Sequence, residues 1–173
     1  ERTGDIRSYK KDLVDLYVNR DQHSFSTQVT DLDNIQNPSI HSLLSSKYHE
    51  AQMHRLNIHA EIPDPVIHNY LTDLDLAVVL GHLMDNAIDG ARKASEGFIS
   101  LAYFDEEDCQ SFIIESTIAE EQVPLSMMST QLPHPEGGIG VNAVQDILER
   151  YPNTSFSVRS QNHKMMQILE MRP

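Results

Sequence analysis

Near the middle of the chain, from about Asp73 to Lys93, apolar and polar residues separate at helical spacing. On a helical projection Leu76, Val79, Leu80, Leu83, Ala87 and Ala91 share one face, while His82, Asn86, Asp89 and Lys93 fall into a stripe of their own. Such a helix cannot stand alone, because its apolar face must be buried against another layer. The small residues Ala87, Gly90 and Ala91 allow that layer to come close. The polar stripe is either a solvated surface or the lining of a site.

The surrounding pattern says what the layer is. Ile58, Ala60 and Ile62 alternate with Asn57, His59 and Glu61 before Pro63 and Pro65 end the run, which predicts a strand. Further strands are expected at Phe98 to Phe104, Ser111 to Thr117, Ser155 to Ser160 and Met165 to Met171, the last two joined at Asn162-His163. Helices are expected from Pro38 through Met53 and from Val141 to Arg150, the latter stopping before Pro152. Because the later strands come in adjacent pairs, the reading is an α+β sandwich with an antiparallel or mixed sheet covered on one face by helices. Before it, Ile6, Tyr9, Leu13, Leu16, Phe25, Val29 and Leu32 step by threes and fours as one or two amphipathic helices, and Asn37-Pro38-Ser39 marks the boundary.

Composition excludes several classes. Acidic residues outnumber basic ones 26 to 13, for a formal net charge of -13, and no basic cluster offsets it, so nucleic acid is not an expected partner. The longest apolar run, Leu76 to Leu80, is far below the roughly 20 residues of a membrane span, so no direct insertion by this stretch of chain is expected. A single cysteine, Cys109, leaves no internal disulfide to form, and is read as a loop or strand-edge residue.

A second segment carries candidate chemistry. Gly137, Gly138 and Gly140 precede the helix expected from Val141, and glycines there leave backbone N–H groups free to meet an anion at the positive end of the helix dipole. The segment lacks the Lys-Ser/Thr of a P-loop and does not follow a strand as a dinucleotide fingerprint does.

Together and in this order, Leu83-Met84-Asp85-Asn86-Ala87 and Gly138-Ile139-Gly140-Val141 resemble the N box and second glycine box of the GHKL ATPases. The narrower resemblance is to quorum-sensing histidine kinases of the AgrC/ComD type. It is carried by Asn37 to Leu44, by Asp73 to Asp89, and by Gly138 to Val144 with Tyr151-Pro152-Asn153. It implies a Bergerat ATP-binding fold, an α+β class two-layer α/β sandwich with a mixed, mostly antiparallel sheet, over residues 37–173, preceded over residues 1–36 by a helical dimerisation and phosphoacceptor-like segment.

The resemblance also implies site residues. Asn86 would ligate Mg2+ on the triphosphate, a role suited to a hard neutral amide oxygen. His82 takes the upstream polar position of the N box, where it either orients a water or phosphate oxygen or is a plain surface histidine. Asp89 and Lys93 would line the nucleotide, with Lys93 and Arg92 as candidate phosphate contacts. Backbone amides from Gly138, Ile139, Gly140 and Val141 would hold phosphates, and Ile118 to Glu136 would form a lid. The family's Asp-x-Gly-x-Gly box is absent; at the corresponding strand end, Ile113-Ile-Glu-Ser-Thr117, Ser116 or Glu115 would accept from the adenine amino group.

The implied function is the cytoplasmic kinase portion of a two-component sensor histidine kinase, on the inner side of a membrane. It would bind ATP and Mg2+ and pass the γ-phosphoryl through a histidine to a response regulator, as a homodimer through the N-terminal helices. The family's His-Asp motif finds only Gly4-Asp5-Ile6 or Lys11-Asp12-Leu13 as counterparts, and His23 sits in unrelated surroundings. The alternatives are therefore a degenerate kinase acting as a docking module, or a GHKL protein of another kind.

Overall fold

A computed structural model describes residues 31–123 and 141–173, and the fold is built from these. The expected N-terminal stripe from Ile6 to Val29, and Gly138, Ile139 and Gly140, lie outside the described residues, as does most of the expected lid. Three helices and five strands follow in order: α1 (Pro38–Met53), β1 (Asn57–Glu61), α2 (Asp73–Lys93), β2 (Phe98–Glu106), β3 (Cys109–Thr117), α3 (Val141–Leu148), β4 (Thr154–Gln161) and β5 (Lys164–Met171).

The sheet order is β1-β2-β3-β5-β4. β1 runs parallel to β2, and every other pair is antiparallel. The parallel pair exists because α2 lies between β1 and β2 in the chain, and a helical crossover returns the second strand in the direction of the first. β2–β3 and β4–β5 are hairpins. The second turns at Asn162 and His163, with φ of 53° and 60°, as a two-residue turn between twisted strands requires. The mixed α+β sandwich expected from the sequence is the observed one.

Local chemistry starts and stops the helices. Asn37 Oδ1 accepts from the N–H groups of Ser39 and Ile40 at 2.9 and 3.2 Å, and Pro38 occupies the first turn of α1. At its other end Arg55 adopts φ 59°, and Leu56 N–H reaches back to the Ala51 carbonyl at 3.1 Å, closing the helix in a left-handed turn. Thr72 caps α2, with Asp73 and Asp75 in its first turn and Arg92 and Lys93 in its last, the arrangement the helix dipole favours.

The core lies between the sheet and the helices. Leu76, Val79, Leu80, Leu83, Ala87 and Ala91 are all buried, as the projection requires. Met84 and Ile88 are buried as well, widening the apolar arc, because α2 packs against α1 and α3 in addition to β3. Central β3 is buried at every position from Cys109 to Ser116, so Cys109 is the closed first residue of a strand rather than part of a loop. On the sheet face away from the main core, Ala102, Ile113 and Met166 form a second cluster with Phe104 and Ile168 packed on it.

Ahead of α1, a 3-10 turn at Asp31–Asn34 leads to Ile35, which bridges Val66 in parallel. Leu32 and Ile35 are buried in the main core, and Asn34 Nδ2 donates to the Ile62 carbonyl at 2.6 Å. The chain is thus already joined to the domain before α1 begins.

Candidate functional site

The polar stripe of α2 is half-buried along most of its length: His82, Asn86 and Asp89 are partly covered, and Lys93 stands exposed. Asp89 Oδ1 lies 3.9 Å from Arg92 Nη1, so one of the basic groups expected near phosphate is shared with a carboxylate. Beside Asn86, the Asp85 carboxylate is held 2.6 Å from Lys47 Nζ of α1, and Lys47 also meets Glu50 at 2.8 Å. Burial pulls the Lys47 pKa down, but the hydrogen bonds and charges of Asp85 and Glu50 outweigh it and raise the value.

The end of β3 meets α2 one turn beyond Asn86. A Cβ added at Gly90 would lie 3.1 Å from Ile118 Cγ2, 3.4 Å from the Thr117 carbonyl oxygen and 3.9 Å from Ser116 Oγ. Glycine is what permits the helix backbone to come so near. Ser116 is fully buried, and its Oγ is the one buried side-chain polar atom without a hydrogen-bond partner among the described residues. A hydroxyl in that state costs about 1–3 kcal/mol until something bonds to it.

The two adjacent residues proposed from the sequence to meet adenine point to opposite faces. Ser116 is in register with Ile99 and Met165 on the helix side, whereas Glu115 is in register with Ser100 and Met166 on the other side. Glu115 Oε1 is engaged by Lys164 Nζ at 2.9 Å. Of the pair, only Ser116 faces the helix that carries Asn86.

From the other side, α3 begins at Val141 and packs against α2, its buried Val144 and Ile147 joining the main core. The turn after α3 is tied to the start of α2: Tyr151 Oη donates to Asp75 Oδ2 at 2.6 Å, and Arg150 Nη2 donates to Asp75 Oδ1 at 2.8 Å. The structure therefore spaces His82, Asn86, Asp89 and Lys93 along α2, brings Ser116 beside it at Gly90, and starts α3 directly after the glycine segment.

Three supporting contacts have no signature in the sequence. They are Lys47 with Asp85, the Asp75 anchor, and buried Gln167, whose Nε2 donates to the Leu83 carbonyl of α2 at 3.1 Å. The described residues contain no cluster of three or more His, Cys, Asp or Glu able to hold a metal ion. A cation beside Asn86 would have to be the kind that takes one or two protein oxygens and draws the rest from phosphate and water, as Mg2+ does. The donor present and the orphaned Ser116 hydroxyl both fit a nucleotide carrying that ion.

A two-layer sandwich with a mixed sheet, an Asn-bearing central helix and a glycine segment before the next helix defines a family. Residues 71–172 match the GHKL domain model, and the chain belongs to that family. A search of curated protein sequences gave no significant match. Among solved structures the fold is that of histidine kinase catalytic domains. The nucleotide-free catalytic domain of ThkA superposes with a TM-score of 0.64 at 13% identity, covering 79% of this chain and 91% of that one. Mycobacterial sensor histidine kinase MprB gives 0.56 at 11% identity, covering 76% and 92%. ThkA in complex with the response regulator TrrA gives 0.60 at 14% identity, covering 79% and 40%.

Proposed function

We propose that the chain is the catalytic portion of a two-component sensor histidine kinase, binding Mg-ATP for transfer of the γ-phosphoryl to a histidine and thence to a response regulator. The observation that carries the reading is the unpartnered Ser116 hydroxyl, buried beside Gly90 one turn from Asn86. Membership of the GHKL family supports it, as does the likeness to histidine kinase catalytic domains, one of them solved with its response regulator. The sequence likeness to the AgrC/ComD type, a quorum-sensing role, the cytoplasmic face of a membrane and a homodimer belong to the same proposal. No helix among the described residues is long and apolar enough to cross a membrane.

In this reading the Asn86 amide oxygen ligates Mg2+, which when bound neutralises charge on the phosphoryl oxygens. Asp89 and Lys93 line the nucleotide along the same helix face, and His82 orients a water or phosphate oxygen. Backbone N–H groups of Gly138, Ile139, Gly140 and Val141 receive the phosphates at the positive end of α3. Ser116 bonds the base.

One observation favours a second reading, a GHKL docking module that turns over no ATP: the His-Asp register offers Gly4 or Lys11 where an imidazole nucleophile is needed. Incubation with γ-labelled ATP and Mg2+ separates the two. Label on protein supports the kinase, binding without label supports the module, and no binding overturns the kinase and removes the nucleotide from the reading altogether. In calorimetry Asn86→Ala should abolish the Mg-dependent part of the affinity while leaving the fold intact.

A further inference from the structure

At the end of β3 the polar groups are committed, with one exception. Glu115 faces away from α2 and is engaged by Lys164 at 2.9 Å. Thr117 Oγ1 accepts from Phe98 N–H at 3.0 Å and donates to the Glu96 carbonyl at 2.8 Å, so its donor and an acceptor site are both in use. Ser116 Oγ alone remains, fully buried, on the helix side, without a partner among the described residues.

The chemical character of that group sets what it can read. A carboxylate only accepts, so at this position it would favour the 6-amino group of adenine and repel the lone pairs of the 6-keto oxygen of guanine. A hydroxyl donates one proton and offers two lone pairs, and its proton rotates to suit the neighbour. It therefore satisfies an amino group by accepting and a keto group by donating, and leaves neither unpaired. Discrimination at a buried polar site comes from leaving a group unpaired with the wrong ligand, and at the C6 substituent, where the hydroxyl acts, that penalty is missing.

We propose that the base site, resting on the nucleotide reading above, takes purine nucleoside triphosphates as a class, with Ser116 serving adenine and guanine alike. The anionic acceptor that would separate the two is turned to the opposite face of the sheet and paired.

The test is a calorimetric titration of the full chain with Mg-ATP and with Mg-GTP, run on wild type, Ser116→Asp and Ser116→Ala. Expected are affinities for the two nucleotides within about ten-fold of each other in wild type, and a shift of at least about ten-fold towards ATP in Ser116→Asp. A larger wild-type preference for ATP overturns the inference and leaves nucleotide binding standing. Failure of both nucleotides to bind overturns the nucleotide reading and the inference with it. Circular dichroism shows whether Ser116→Asp folds. If it does not, Ser116→Ala decides: equal loss for both nucleotides supports a shared hydroxyl, and a loss confined to ATP overturns it.

Discussion

Tyr151 Oη donates a 2.6 Å hydrogen bond to Asp75 Oδ2 across a sequence separation of 76, joining the turn after α3 to the first turn of α2. The same phenol accepts from Thr72 N–H at 3.3 Å, and Arg150 takes the other carboxylate oxygen. The two helices that bracket the candidate nucleotide site are thereby held at one shared point, distant from Asn86 along α2.

Tyr151→Phe removes the phenolic bond and keeps the ring. Its expected effect is a fall in thermal midpoint of about 2–4 °C, the shift for one net hydrogen bond in a chain of this size. Differential scanning calorimetry checks it, and an unchanged midpoint would show that the anchor contributes nothing.

Asp75 also makes acid stability readable. The Tyr151 hydrogen bond, with smaller help from Thr72 and Arg150, holds its pKa below the ordinary aspartate value of 3.8. A folded-state value lower than the unfolded one means that the contribution is present above pH 3.8 and is lost as pH falls through the lowered value. Wild type should therefore lose more stability than Asp75→Asn between pH 4.5 and 2.5, to within about half a pH unit. Parallel denaturation midpoints across that window would refute the assignment.

Lys47 gives the opposite limb. Its pKa is raised above 10.5, so its contribution is complete below that pH and disappears as pH rises through the folded-state value. Stability of wild type against urea should fall in strongly alkaline buffer, and Lys47→Met, which keeps an unbranched apolar stem, should flatten the dependence. Persistence of the full alkaline loss in that variant would assign it to other groups.

Phe112 is fully buried at the centre of β3, its ring meeting Tyr103 edge-on with centroids 5.3 Å apart. Phe112→Ala should cost about 3–5 kcal/mol, measured by equilibrium denaturation. A cost under about 1 kcal/mol would mean that the core collapses into the space.

Gly97 has no room for a side chain: an added Cβ would strike Leu56 Cδ2 and sit 3.0 Å from the Ala91 carbonyl oxygen. Gly97→Ala should destabilise by about 1–3 kcal/mol through overpacking against Leu56 and the last turn of α2. A neutral result would show that the Leu56 side chain swings clear.

Much of this architecture was legible from residue order. The apolar positions of α2, the first-turn place of Pro38 in α1, the paired strands and the Asn162-His163 turn are consequences of local chemistry and of periods close to 3.6 and 2. The family likeness rested on contiguous motifs for the same reason. Burial of Met84 and Ile88 was not legible, because a projection shows one face and cannot count the helices that flank it.

The division of roles between Glu115 and Ser116 was half legible. Alternation required the two to face opposite ways, but sequence could not say which face held α2 or that Lys164 waited on the other. The sequence by itself determined the elements, the sandwich class and the stripe His82, Asn86, Asp89, Lys93, because these depend on neighbours a few residues apart. Only the tertiary structure decided that Asp75 meets Tyr151, that Lys47 meets Asp85 and that the Ser116 hydroxyl lies unpartnered beside Gly90. Those meetings join residues far apart in the chain, and their geometry is set by how sheet and helices pack rather than by any local pattern.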